Sequence, residues 1–392
     1  MDAKEFEELY SRAISYENVE VPKGEMTPRE RFFAIMDGKK PDRIIDTEFG
    51  YWNDTLRRWH KEGLPAYVDN NSKADFYFGF DVWQKHIPMN NLLFPSFPVE
   101  TISDDGKHRV IYDSDHVKCE VFSDGADTIP HYLEFPVKDA ATWRELFKPR
   151  MKVDPLGRIK VDPAKLAAQV KDRNFVLVAN GGSTAGKIRD WMGFEDIAFA
   201  IYDQPELLEE MLADISAVSS ANARALTEAG VVPDLVSWWE DIAFKTGPIV
   251  TPAFFNEKCG AAIRKVMDVY RAAGTKYSFV DCDGDFRRIM PGWLENGVNI
   301  MFPLEVNAGI HPADLRRDHA GIRMMGGVDK VVLMKSKAEI KAELLKLKPL
   351  VEAGAYIPHV DHRVQADIPY ENYLYYLEVK RDLFGIPNRI RA

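Results

Sequence analysis

Lys276 to Gly284 reads K-Y-S-F-V-D-C-D-G, an apolar run that stops in two acids and a glycine. Tyr277, Phe279 and Val280 have the aromatic and β-branched character of a buried strand, and Asp281, Asp283 and Gly284 fall where that strand would end. Strand alternation puts Asp281 and Asp283 on one side. Two carboxylates so placed repel each other unless a cation or a shared proton lies between them, which makes them candidate metal ligands or an acid pair. In the plainer alternative, one acid caps the following helix and the other is solvated. Further on, Pro358 to His362 reads P-H-V-D-H and offers two imidazoles and a carboxylate, donor types that suit zinc, iron or manganese. A histidine there would otherwise serve as a cap or as a general acid or base.

The elements that must position these groups alternate regularly. After Phe175 the strand-like runs are F-V-L-V-A-N, D-L-V-S-W-W-E, Y-S-F-V-D-C-D, I-M-F-P-L-E, R-M-M-G-G-V and A-Y-I-P-H-V-D-H, separated by segments of helical length and period. With two early strands expected near Ile44 and Phe76, the count is eight, and eight parallel strands with helices between them close a (β/α)8 TIM barrel. A barrel brings its strand ends to one mouth. That list contains Glu48, Asn180, Glu240, Asp241, Asp281, Asp283, Glu305, Asp329, His359, Asp361 and His362. So many acids in one place call for cations or protons.

Three segments stand outside the alternation. Residues 1–25 read as an amphipathic helix and a loop forming an N-terminal extension. Thr27, Pro28 and Glu30 then open a helix with the residues expected at a capped start, and Gly38 stops it. Residues 94–137 switch to short alternating runs broken by D-D-G and S-D-G-A-D, the pattern of an antiparallel β-hairpin insertion. Tyr51 to Gly63 is helical, and its tryptophans, Trp52 and Trp59, read first as core packing. The glycine-rich N-G-G-S-T-A-G loop at Asn180 is either a plain turn or a cradle of N–H groups for an anion.

Composition narrows the function. The chain has 392 residues, 46% of them hydrophobic, and a formal net charge of −10, which argues against nucleic-acid binding. Cys119, Cys259 and Cys282 form no C-x-x-C pair, so neither a disulfide framework nor a thiolate knuckle is expected, and a reducing cytoplasm fits. No apolar run approaches the roughly 20 residues that cross a bilayer, and acids stand where a signal peptide needs bases. Neither nucleotide-binding glycine motif follows a strand. Small molecules or another protein are the expected partners, and a homodimer is compatible with these features.

Taken as a set, M-T-P-R-E-R-F-F-A-I-M-D-G-K-K-P-D-R, G-V-N-I-M-F-P-L-E, M-G-G-V-D-K and I-P-Y-E-N-Y-L-Y-Y-L resemble the uroporphyrinogen decarboxylase superfamily from Met26 to the C-terminus. The resemblance implies one (β/α)8 barrel domain across residues 1–392, of which 26–392 match. It also implies one of two chemistries: cofactor-free decarboxylation, or zinc-dependent methyl transfer with a corrinoid protein. The decarboxylases' early R-Q-A-G-R motif is replaced here by D-T-E-F-G-Y-W-N-D. In the thiol-using methyltransferases the zinc ligands lie in H-x-C-G and in a cysteine ten residues before the Asn of P-x-E-N. Those positions fall on Asp281, Asp283 and His362 in this chain.

Carboxylate and imidazole in place of sulfur suit an oxygen leaving group. The resemblance therefore implies the substrate-side methyltransferase of a corrinoid-dependent O-demethylase, moving a methyl group from a methoxylated compound, with aromatic ones among the candidates. The metal, zinc or another divalent ion, would rest on Asp281, Asp283 and His362. Glu240 is expected as fourth ligand or proton donor, with His359 as a second candidate for the proton. Tyr51, Trp52, Asn180, Trp238 and Trp239 are expected to line the substrate. The chain carries no D-x-H-x-x-G corrinoid signature, so the corrinoid would come on a separate protein. The rival readings are a metal-free decarboxylase and a non-catalytic corrinoid- or tetrapyrrole-binding barrel, the latter disfavoured by the pile of acids.

Overall fold

The computed structural model describes residues 2–125 and 129–391. The chain packs as two compact units, one of Met1–Lys85, Lys171–Leu177 and Ile300–Ala392, the other of His86–Val170 and Val178–Asn299. In the first unit Ile300–Phe302, Arg323–Met325 and Tyr356–Ile357 pair in parallel in that order. In the second, Leu235–Trp239 pairs in parallel with Val176–Gly182 on one side and Tyr277–Asp281 on the other. Gln84–His86 flanks Val176–Gly182. These seven strands and the helices between them make a TIM-barrel-like α/β fold.

The six late strands form where the sequence places them, and the early pair does not. Phe76 lies in the helix Asn71–Phe78, which Asn70 caps by accepting from Lys73 N and which Gly79 ends in the left-handed conformation. Those start and stop signals outweigh the local run of aromatics. Among the described residues Ile44 to Gly50 forms no strand, and the only β-bridge next to it is the parallel one of Tyr51 to Val364. The strand beside Val176–Gly182 is instead Q-K-H, with no β-branched residue to announce it.

The helix Pro28–Met36 opens with a full capping box, Thr27 Oγ1 taking Glu30 N while the Glu30 carboxylate takes Thr27 N. The extension carries the helix Ala3–Ile14, whose Phe6 is buried beside Tyr67 and Phe76. Trp59 is fully buried, stacks on Tyr373 at 4.7 Å and donates from Nε1 to Ile368 O, so its packing role holds. The insertion is a four-stranded antiparallel sheet of Glu100–Asp104, His108–Tyr112, Lys118–Phe122 and His131–Glu134 in chain order. Its D-D-G turn has Gly106 at φ 86° with Asp104 accepting from its N–H; of S-D-G-A-D, Ala126 and Asp127 lie outside the described residues. Among the described residues no helix is long and apolar enough to cross a membrane.

Candidate functional site

In the second unit, alternation along Tyr277–Asp281 and beyond is as the sequence implies. Phe279, Asp281 and Asp283 are partly exposed, while Ser278, Val280 and Cys282 are buried. Asp281 stands in register with Trp239 on the neighbouring parallel strand, and Phe279 with Ser237, so a partly exposed indole and a carboxylate share one rung. Gly284 turns the chain at φ +76°. A Cβ there would meet Ala243 O at 2.3 Å, so only glycine fits.

Glu240 and Asp241 follow Trp239 and take opposite roles. Glu240 is fully buried; one carboxylate oxygen takes Thr184 N and Oγ1, both at 2.7 Å, and the other takes Gly186 N at 2.9 Å. The glycine-rich loop therefore does cradle an acidic group at the start of the helix Ala185–Met192, and that group is the protein's own Glu240 carboxyl. Gly186 is required because a Cβ would lie 2.3 Å from Glu240 O. Burial pushes the Glu240 carboxyl up to about 7 against those donors. With both oxygens engaged, Glu240 braces the loop.

Asp241, by contrast, is partly exposed and sits at φ 22°, a backbone position costly for a residue with a Cβ. Burial raises its pKa, the Arg189 guanidinium opposes that, and the charge of Asp283 adds to it. Arg189 lies 3.3 Å from Asp241 and 2.8 Å from Asp190, with its guanidinium over the rings of Trp239 and Phe194. Arg189 carried no signal in the sequence beyond its type, since it lies inside a helix and reaches the strand end only through folding. Asn180 is exposed, yet its Oδ1 closes its own turn by accepting from Gly182 N. Trp238 is buried against Gly181, where a Cβ would lie 2.4 Å from the indole, so it packs the core while Trp239 remains partly exposed.

In the first unit the P-H-V-D-H run divides likewise. His359 is buried and its Nδ1 lies 2.8 Å from Val360 O, which can only accept, so Nδ1 carries the proton and Nε2 the lone pair. Burial pulls the imidazole down to about 3, so at neutral pH it is uncharged. A proton donor acting from Nε2 is therefore not available in His359. Asp361 is buried and consumed by two backbone N–H groups, Val306 and Lys330. His362 is partly exposed, edge-on to Phe49 at 5.1 Å and tilted over Trp52 at 5.9 Å, and Arg363 stands over the same indole.

Glu48 is buried as well. Its Oε1 takes the N–H of Phe49 and of Val360, and its Oε2 lies 3.4 Å from the Tyr373 hydroxyl, which bonds the Tyr51 hydroxyl at 2.8 Å. Burial pushes its carboxyl up to about 7 against the pull of Lys380. Tyr51 is thereby a buried link in a hydrogen-bonded chain with no exposed surface to offer a substrate.

Among the described residues, no three His, Cys, Asp or Glu side chains are gathered as a metal site. Asp281 and Asp283 belong to the second unit and His362 to the first.

A family model described as Uroporphyrinogen decarboxylase (URO-D) matches residues 122–383. Among solved structures, a methyltransferase from Methanosarcina mazei aligns over 91% of this chain and 99% of its own, with a TM-score of 0.60 and 15% identity. A B12-independent methionine synthase from Shewanella sp. aligns over 58% of this chain and 67% of its own, with a TM-score of 0.37 and 16% identity. No curated protein matches the chain.

Proposed function

Because the chain belongs to the uroporphyrinogen decarboxylase family, we propose that it is the substrate-side methyltransferase of an O-demethylating system, taking a methyl group from a methoxylated aromatic compound. The observation that carries this reading is the rung of Trp239 and Asp281, with Asp283 and Asp241 close by in sequence: an indole to stack an aromatic ring beside carboxylates at the end of a strand. Support also comes from the fold shared with a methyltransferase over nearly the whole chain and from the loss of the decarboxylases' early arginine motif.

A reduced corrinoid on a separate protein would supply the nucleophile for the methyl group, and a divalent metal such as zinc would supply a Lewis acid for the ether oxygen. Asp281, Asp283 and His362 are hard donors of suitable type, but they do not stand gathered, so the steps assigned here belong to protein groups alone. When the carbon–oxygen bond breaks, its electron pair stays on oxygen, and the departing oxygen takes a proton. Asp241 is better placed than Glu240 or His359 to deliver it. It is partly exposed and its pKa is raised, whereas Glu240 is locked and His359 has no proton at Nε2. Trp239, partly exposed under the Arg189 guanidinium, would hold the ring. The three buried free thiols are in keeping with a cytoplasmic setting.

A metal-free decarboxylase is the second reading, favoured by the charge of Asp283 raising the cost of charging Asp241. Elemental analysis of the wild type beside D283A/H362A, with methyl transfer from methoxybenzoates to a reduced corrinoid protein followed by absorbance, separates the two. Methyl transfer by the wild type is the expected result. A metal-free protein after reconstitution, with no methyl transfer, rejects the methyltransferase reading.

A further inference from the structure

The first unit contains a cavity of about 350 Å³, lined by the N-terminal helix, the loop that follows it, Arg31, Arg43, residues 76–85 and the chain near Arg389. The size is within the usual range for small-molecule sites. Its lining combines apolar side chains, among them Leu9, Val21, Met26, Phe80 and Val82, with a large set of charged ones.

Four of its cations are matched by acids. Arg31 lies 2.7 Å from Asp42, and Arg43 lies 2.6 Å from Asp81. Arg12 faces Glu17 and Glu20, and Arg389 faces Glu25 and Asp81. Lys85 and Arg391 have no carboxylate within ion-pair distance among the described residues. Lys85 is buried, and its ammonium donates only to neutral carbonyls, Ser15 O and Glu17 O, over the face of Phe175; the Glu17 charge acts on it without such a contact. Arg391 donates to Phe76 O and lies over the Phe76 ring at 4.0 Å. Burial lowers the pKa of both, to about 8 for Lys85.

Two cations held only by carbonyls and aromatic faces, in one cavity of an acidic chain, leave charge that the protein itself does not neutralise. We propose that this cavity is a binding site for an amphipathic organic anion, its carboxylate or phosphate group taken by Lys85 and Arg391 and its apolar part lying against apolar lining residues such as Leu9, Met26 and Phe80. The inference is independent of the proposed methyl transfer, because none of the lining residues belongs to the sites above.

The test is calorimetric titration of the full chain with octanoate, octyl phosphate and neutral 1-octanol, repeated on K85M and R391M. Saturable one-to-one binding of an anionic probe is expected, about tenfold weaker in each variant and weaker for octanol. Tighter binding of octyl phosphate selects a phosphate ligand, and tighter binding of octanoate a carboxylate; both support the site. Lys85 also ties down the chain at Ser15, so R391M decides the matter if K85M loosens the N-terminal segment. No saturable binding of either anion up to about 1 mM, equal affinity for octanol, or binding that R391M leaves unchanged overturns the proposal.

Discussion

At the scale of single residues, neighbours in sequence do different work according to what each one touches. Glu240 and Asp241 are adjacent acids, yet one is sealed against the start of a helix and the other faces an arginine and an indole. Replacing Glu240 by alanine strands two buried N–H groups and a hydroxyl, and should cost about 3 kcal/mol in denaturant unfolding, with Glu240→Gln costing less because an amide oxygen still accepts. A loss below about 1 kcal/mol for the alanine variant would mean that the brace is replaceable by water. Asp241→Asn should leave that stability nearly intact while lowering methyl transfer at least about 100-fold. Unchanged turnover in D241N would remove Asp241 from the proton path.

At the scale of elements, the geometry depends on a few places where backbone approaches backbone. The turn after Tyr277–Asp281 brings Gly284 against the Ala243–Phe244 segment, where Asp285 N also donates to Phe244 O. Gly284→Ala combines a positive φ with a clash against a carbonyl, and should destabilise by about 2–4 kcal/mol and displace Asp283. Thermal unfolding checks the first effect, and loss of turnover beyond that of an equally destabilised distant variant checks the second. Gly106→Ala is a fitting control, since its added Cβ meets nothing within 4 Å and only the φ cost remains. Equal melting temperatures for the two variants would contradict the close approach at Gly284.

For the whole molecule, the buried carboxyls set how stability varies with pH. Glu48 and Glu240 are each raised to about 7 by burial, so between about 4.5 and 7 the folded chain binds more protons than the unfolded one. Stability therefore falls as pH rises through that window, by up to about 3 kcal/mol per group, and the loss is complete above it. Asp42 acts in the opposite sense. Burial pushes its carboxyl up, but Arg31 and the N–H groups of Met26 and Arg43 outweigh it and bring it down to about 2. Its contribution, about 2 kcal/mol, is present above about pH 4 and disappears as pH falls through 2. Denaturation midpoints measured from pH 3 to 8 should peak on the acid side of neutrality, and Glu48→Gln should flatten the fall toward pH 7. A profile for E48Q parallel to the wild type would exclude Glu48 as a source of it.

The sequence by itself determined the family, the strand–helix alternation after Phe175, the antiparallel insertion and the capped start at Thr27, because period, turn residues and caps are local properties. It also pointed to stretches of chain for a candidate site, since strand ends can be read from where apolar runs stop. What only the tertiary structure decided is which polar side chain in each stretch is already spent. Glu240, Glu48 and Asp361 look like free acids in the sequence but are satisfied by backbone N–H groups contributed from elsewhere in the chain. Trp238 and Trp239 look alike until Gly181 takes one of them into the core. The helix at Phe76 and the short Gln84–His86 strand were settled the same way, by end caps and by a neighbouring strand, against the local preference of their residues. Burial and hydrogen bonding are long-range facts: they depend on partners tens to hundreds of residues away, which no local pattern records.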